Sequence, residues 1–384
     1  MDEKLTFRLL ACDARHITPY GIGYASDSIA IAMNNPKTKC SILSYFNDMG
    51  YDNTLRIPLF TNHLVYTFSR KLLSENRLHN LLTCKLMANL KNNEAVHFWT
   101  GCPHKLYVKA KKKNKLILHE AINTHQTSAR QILESEYQSL GLGAFEGISE
   151  SAIVVENQKL SISDYIFCPS PNVTRSMLEN GVDPQKLIQT SYGLGEHQRH
   201  YPEKNNLQTD GLNGLFVGSG IVRKGIHLLL QYWRDADLSG NLVIIGSIDP
   251  AIEHIVKPYR DDPRFEFINF TTDIDQYFKK ADVFMLPSLE EGSPLVTYLA
   301  IGAGLPCIVS PMGGDGVIRH GIEGYIIEPH DKEGWVSTLL SLAQQPSKRR
   351  ELSMAAYERS EYFLWHNVGM RRADALMTRI GEKQ

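Results

Sequence analysis

"LFVGSGIVRKGIHLLLQYW", residues 215–233, runs from a short branched apolar strand through a glycine-containing loop with Arg223 and Lys224 into a helix. The same unit recurs along the chain. Apolar runs rich in branched residues alternate with helical patterns: "FRLLACDA", "CSILSYF", "AVHFW", "KLILHE" and "DYIFCPS" in the first half, then "LNGLFVG", "NLVIIGS", "FEFINF", "DVFMLPS", "PCIVS" and "GYIIEP" in the second. Strands that alternate with helices and are apolar throughout imply parallel sheets covered on both faces, the doubly wound α/β class. Between the halves, "YGLGEHQRHYPEKNNLQTDGLNG" (192–214) has no apolar period and reads as a linker. The expected organisation is a first Rossmann-like domain over 1–191, a linker over 192–212, a second such domain over 213–361 and a final helix over 362–384. Two open sheets joined this way turn the carboxyl ends of their strands toward a shared cleft, where ligands bind.

Composition excludes several function classes. With 384 residues, 42% of them hydrophobic, the chain is long enough for two cores of ordinary size. A formal net charge of -1 leaves no field to gather nucleic acid, so no nucleic-acid partner is expected. The six cysteines (12, 40, 84, 102, 168 and 307) are scattered without a C-x-x-C pair and read as reduced core residues of a cytoplasmic protein. The N-terminus is charged and then strand-like, unlike a signal peptide, and no apolar run approaches the ~18 residues that span a bilayer. One basic run, "KAKKKNK" (109–115), is either a solvated loop or a peripheral contact with an anionic membrane surface. The preceding "FSRKLLSENRLHNLLTCKLMANL" (68–90) has helical apolar spacing and suits either such a surface or a core.

The segment "EEGSPLVTYLAIGAG" (290–304) places an acidic Glu-Gly turn directly before a helix start. Ser293 reads as the N-cap, Pro294 as the first helical residue, and Gly304 with Pro306 as the stop, giving a helix of roughly three turns. Helix-start amides carry partial positive charge, which suits a phosphate, while Glu291 beside them suits sugar hydroxyls. A capped core helix with a solvated acidic turn is the plain alternative. Arg223 and Lys224 pose the same choice, although two cations at a helix start oppose the helix dipole and call for an anion. The "DID" at 273–275 and the "DAD" at 235–237 read as caps and solvated acids rather than a metal-binding D-x-D, so no metal and no cofactor are expected.

Together "LFVGSGIVRKGIHLLLQYW" and "PSLEEGSPLVTYLAIGAGLPCIVSPMGGDGVIRHGIEGYIIEPHD" (287–331) resemble the retaining glycosyltransferases of the GT-B fold, family 4, also called glycosyl transferases group 1. The resemblance is strong over about 210–345 and looser in the first half, where "TPYGIGYASDSIAIAM" (18–33) and "LHEAINTHQTSARQILESEYQSLG" extend it. It implies two Rossmann-like domains facing a cleft and a hexosyltransferase that needs no metal. The donor would be a UDP- or GDP-linked sugar and the acceptor a glycan or lipid-linked molecule, as in bacterial surface polysaccharide synthesis.

Residue by residue, the family's phosphate-binding Lys falls on Lys224. Its usual Arg falls on Ser219, leaving Arg223 to supply that charge. Gly21 and Gly23 match the glycine loop near the diphosphate, and the amides of Leu295 and Val296 match the distal-phosphate contact. Glu291, Ser293, Pro294, Gly313 and Gly314 match the sugar and nucleotide side, with the base expected near "NFTTD" (269–273). His119 sits where the family has a His facing the donor sugar, and His125 at a second His position found in a subset, so both join Glu291 as catalytic candidates. The family's E-x7-E pair is half present, because its second Glu, which in relatives holds the ribose hydroxyls, is Leu299 here. That departure keeps two other readings open: a catalytically silent GT-B partner of another transferase, and a different GT-B enzyme such as a sugar-nucleotide epimerase.

Overall fold

The computed structural model describes residues 6–52, 54–200, 211–271 and 273–382. The first half runs β1 (Phe7–Ile17), α1 (Gly21–Ala32), β2 (Thr38–Asn47), β3 (Arg56–Pro58), α2 (His63–Leu72), α3 (Glu75–Asn89), β4 (Ala95–Phe98), α4 (His104–Lys111), β5 (Leu116–Glu120), α5 (Gln126–Ser139), α6 (Glu150–Ile162), β6 (Tyr165–Cys168), α7 (Pro171–Glu179) and β7 (Leu187–Gln189). The second half runs β8 (Gly214–Val217), α8 (Ile226–Ala236), β9 (Leu242–Ile245), α9 (Glu253–Arg260), β10 (Phe265–Ile268), α10 (Asp275–Lys280), β11 (Val283–Leu286), α11 (Leu295–Gly302), β12 (Cys307–Val309), α12 (Pro311–Gly314), β13 (Gly324–Ile326), α13 (Lys332–Gln344), α14 (Pro346–Tyr362) and α15 (Trp365–Gly381).

The first sheet has the order β3-β2-β1-β4-β5-β6-β7 and the second β10-β9-β8-β11-β12-β13, every pairing parallel. Parallel strands need helical crossovers, which cover both faces. In β1 the residues alternate accordingly: Leu9 and Ala11 enter the core beneath α1, and Leu10 and Cys12 enter the core on the opposite face. In each sheet the order reverses once, between β1 and β4 and between β8 and β11. Loops leaving the carboxyl ends of strands at such a reversal diverge and open a crevice.

The stretch expected as a linker does not begin as one. Tyr192, Gly193, Leu194 and Gly195 are buried, and Leu194 forms a parallel bridge with Leu364. A Cβ on Gly193 would lie 2.1 Å from the Phe363 carbonyl oxygen, so only glycine lets the two backbones approach so closely. Residues 201–210 of that stretch lie outside the described residues.

Past this crossing the chain returns to the first domain. The helix α15 packs along α1, where a Cβ on Gly369 would sit 2.3 Å from the Ala32 carbonyl carbon, and delivers Arg372 to Glu120 at the end of β5. That pair is buried and bidentate at 2.9 Å on each arm, with His97 Nε2 on the same carboxylate at 2.9 Å. Burial alone would raise the Glu120 carboxyl; the Arg372 charge and the bonds from His97 and Arg372 outweigh it and hold the group at about 2.

Candidate active site

The two reversal points face each other across a cavity of about 760 Å³. Its second-domain wall is made by the loops after β8 and β11, tied together where Leu289 N donates to the Arg223 carbonyl at 2.8 Å. Gly225 closes the first of these loops at φ 67°, with its Cα so near the Pro287 carbonyl that a Cβ would sit 2.1 Å from that oxygen. This turn, which only glycine accommodates, aims Arg223 and Lys224 into the cavity.

Lys224 Nζ donates to Glu291 Oε1 at 2.5 Å, and Arg223 Nη2 lies 3.9 Å from the same oxygen. Arg223 Nη1 donates to Glu290 Oε2 at 3.1 Å. With the Lys224 and Glu291 side chains only 14% and 8% exposed, water screens these charges weakly. Burial lowers the Arg223 guanidinium, but the two carboxylates outweigh it and leave the group above its ordinary value. Two cations and two carboxylates thus share one wall. The N-terminal residues of α11, Leu295 and Val296, line the cavity beside them, as do Ser293 and Pro294. From the first domain come Gly21, at φ 68°, and Asn123, whose amide oxygen, in the orientation that satisfies both its polar atoms, accepts from Arg223 Nη1 at 3.2 Å. At the far end, Asn269, Phe270 and Thr271 line the region expected for a base; Phe270 is 72% exposed at the rim, and Thr272 is outside the described residues.

Several expectations are corrected. Ser293 does not cap α11: Pro294 is the N-cap, with no side-chain cap, and the Ser293 hydroxyl instead bonds the Tyr298 hydroxyl at 2.7 Å. The helix itself is eight residues long, nearer two turns than three. Gly23 does not line the cavity; it lies inside α1, where a Cβ would come within 3.3 Å of Ile17 Cα. Gly313 and Gly314 are also away from it, in the turn α12, where Cβ atoms would meet the Leu286 carbonyl oxygen and Val309 at 2.5 Å each. These three glycines serve close packing.

The two histidines part from the donor side as well. His119 points out of β5 so that its Nδ1 meets the Tyr107 hydroxyl at 2.8 Å; burial, then the Lys159 charge, press it down to about 3, a neutral imidazole at physiological pH. It lines a second cavity of about 490 Å³ between α5 and α6, which shares Ile122, Asn123 and Arg223 with the first. His125 is the N-cap of α5, its Nδ1 accepting from Thr127 N at 3.2 Å and its Nε2 bonded to Asn157 Oδ1 at 2.9 Å, and it lines neither cavity.

Glu290 is the residue that the sequence reading passed over. It is 1% exposed and bridges the domains: its Oε1 accepts from the Thr124 amide and hydroxyl at 3.2 and 2.7 Å while its Oε2 holds Arg223. The doubled acid in "EEGSP" was the only signal of it. Beside it, a Cβ on Gly292 would lie 1.7 Å from the Ile122 carbonyl oxygen of the first domain. The other expected acids are engaged elsewhere: Asp235 with Lys332 at 2.5 Å, Asp237 with Arg264 at 2.8 Å and Asp275 with His200 at 3.2 Å. Among the described residues no helix is long and apolar enough to cross a membrane.

Comparison with known proteins agrees with this fold. Residues 212–345 match the family described as glycosyl transferases group 1. A UDP-Gal:alpha-D-GlcNAc-diphosphoundecaprenol alpha-1,3-galactosyltransferase of Escherichia coli is 37% identical over 43% of this chain and 44% of its own length. A D-inositol 3-phosphate glycosyltransferase of Salinispora tropica is 23% identical over 58% of this chain and 50% of its own. The matches therefore span half or less of these relatives. Among solved structures, sucrose-phosphate synthase from Thermosynechococcus elongatus superposes with a TM-score of 0.73 at 18% identity, covering 98% of this chain and 100% of that one. Anabaena HepE in complex with UDP and glucose gives 0.68 at 14% identity, covering 97% and 100%.

Proposed function

We propose that this chain, a GT-B fold whose residues 212–345 match the glycosyl transferases group 1 family, transfers a hexose from a UDP- or GDP-linked donor to a glycan or lipid-linked acceptor with retention at the anomeric carbon. The observation that carries the reading is the wall where Arg223, Lys224 and the start of α11 converge beside Glu291. A diphosphate there meets two cations and helix-start amides in a poorly solvated site. As the bond to the anomeric carbon lengthens, charge grows on the leaving phosphate, and these groups stabilise it more in the transition state than before. Glu291 holds the sugar hydroxyls, and Phe270 offers a face for the base. The departing phosphate oxygen takes the acceptor's proton, so no second carboxylate is needed. Because Arg223 and Lys224 supply the positive charge, transfer proceeds without a metal.

The likeness to the Escherichia coli galactosyltransferase supports a lipid-linked acceptor in surface polysaccharide synthesis. The helix α2, which exposes Leu64, Val65, Phe68 and Leu72 beside Arg70 and Lys71, supports peripheral attachment to an anionic membrane from the cytoplasmic side. Leu299 in the cavity wall favours the alternative of a silent partner chain, since it puts an apolar side chain where relatives hold ribose. A thermal-shift screen against UDP, GDP, ADP, CMP and their sugar conjugates, with EDTA present, tests the proposal. The expected result is a shift with one nucleotide, lost in Lys224→Ala, together with slow hydrolysis of its sugar conjugate. Binding without hydrolysis or transfer selects the silent partner, and no shift with any of them refutes donor binding.

A further inference from the structure

A third cavity, of about 210 Å³, lies where both domains and the C-terminal helices meet, and its lining shares no residue with the donor-side cavity. Gln189, Thr190 and Ser191 enter it from the first domain, Tyr298 and Gly316 from the second, and Arg359, Arg371 and Arg372 from α14 and α15. Arg372 is fully engaged by Glu120 and the Ser191 carbonyl. Among the described residues the other two have no such partner: Arg359 hydrogen-bonds to the carbonyl oxygens of Val317 at 3.3 Å and Gly316 at 3.5 Å, while Arg371 pairs with no carboxylate and its buried Nη2 lacks a hydrogen-bond partner. Both guanidiniums lie over the Tyr362 ring, 3.7 Å from its centroid for Arg371 and 4.8 Å for Arg359.

Ring faces and carbonyls solvate a guanidinium but do not cancel its charge. Burial, then the neighbouring Arg359 for Arg371 and Arg319 for Arg359, pushes both groups below their ordinary range, and the more distant Glu323 carboxylate only partly offsets this at Arg359. Arginine does not relieve this by giving up its proton, which leaves the cluster suited to an anion from outside. Forked donors match the oxygens of a phosphate, and Gln189 and Thr190 add polar groups at the rim. The volume suits one phosphoryl group with a short attachment and is too small for a nucleotide.

We propose that the Arg359–Arg371 cavity is a binding site for a phosphate dianion, free or as a small phosphomonoester, separate from the donor site and clamping both domains to the C-terminal helices. Its wall is coupled to the donor cavity, because the Tyr298 hydroxyl meets Ser293 at 2.7 Å and accepts from Tyr192 N at 3.1 Å, both of which line that cavity.

The test follows thermal unfolding of the full chain against inorganic phosphate and glycerol 3-phosphate at constant ionic strength, in the wild type, Lys224→Ala, Arg371→Gln and Arg371→Lys. A saturable rise in midpoint is expected in the wild type and in Lys224→Ala, with the apparent affinity weakened by roughly tenfold or more in Arg371→Gln. Arg371→Lys keeps the charge and loses the fork, so it should fold and still bind more weakly than the wild type. Tighter binding of glycerol 3-phosphate identifies the ester as ligand and tighter binding of phosphate the free anion; either supports the site. No saturable response, or equal responses in all the Arg371 variants and the wild type, overturns it. Loss of the response in Lys224→Ala alone also overturns it, since phosphate would then be binding at the donor site.

Discussion

Replacing Glu291 by Gln should tighten nucleotide diphosphate binding while lowering transfer, an unusual pairing that follows from the ion pair in the cavity wall. Lys224 is held by Glu291 at 2.5 Å in a site where both side chains are largely buried. A diphosphate must therefore take the ammonium away from a carboxylate, and that carboxylate also repels it. A charge-assisted hydrogen bond of this kind is worth ~1.5–3 kcal/mol. Glutamine keeps the neutral part of the bond, so about half of that value is released to the ligand, roughly a three- to tenfold gain in affinity for UDP. The sugar conjugate gains less, because Glu291 also holds the sugar. Titration calorimetry of UDP and a UDP-sugar on both proteins gives the two ratios, and a stopped transfer assay gives the rate. If Glu291→Gln folds normally and binds UDP no better than the wild type, Lys224 is not the diphosphate's partner and the reading of this wall fails.

Five further outcomes are expected. Gly292→Ala places a methyl group 1.7 Å from the Ile122 carbonyl oxygen, so the domains cannot close to the present geometry; transfer should fall by about 100-fold or more with the melting profile little changed. Glu120→Gln and Arg372→Met each strand a buried partner at a cost of ~3–5 kcal/mol, and the double variant should lose clearly less than the sum, as read from unfolding midpoints. The Glu120 carboxyl is depressed to about 2, so its stabilisation is complete above its unfolded value of ~4.3 and disappears as pH falls toward 2; Glu120→Gln should flatten that limb of the stability curve. Leu299→Glu should strengthen UDP relative to 2′-deoxy-UDP by roughly tenfold, and equal effects on the two would remove ribose from this part of the cavity. Leu64→Glu with Phe68→Glu should abolish co-sedimentation with vesicles containing anionic lipid, if α2 is the attachment surface, without altering donor binding.

What was legible in the sequence was what the backbone punctuates. Parallel strands covered on both faces read as unbroken apolar runs, so most strands stand out, whereas the edges β3 and β7, "RIP" and "LIQ", are three residues broken by a charged or polar side chain and show no such run. Arg223, Lys224 and Glu291 sit beside Gly225 and Gly292, whose turns announce a loop at a strand end. The histidines could not be placed in this way, because pairing with Tyr107 and capping of α5 depend on which side of an element a ring leaves. Glu290 was invisible for a different reason: its partner Thr124 is 166 residues away, and no local spacing encodes that distance.

The long return of α15 has a consequence for how the chain is made. The seven strands of the first sheet have all been synthesised by residue 189, yet the guanidinium that neutralises Glu120 belongs to Arg372, 252 positions after it. At roughly 5–20 residues per second on the ribosome, the first domain, whose last strand ends at Gln189, waits about 9 to 37 s for Arg372 and the helix that completes its core. Until then a buried carboxylate and the α1 groove for α15 stay open to solvent and to chaperones. The domain made first is therefore completed last, after the second domain has been synthesised.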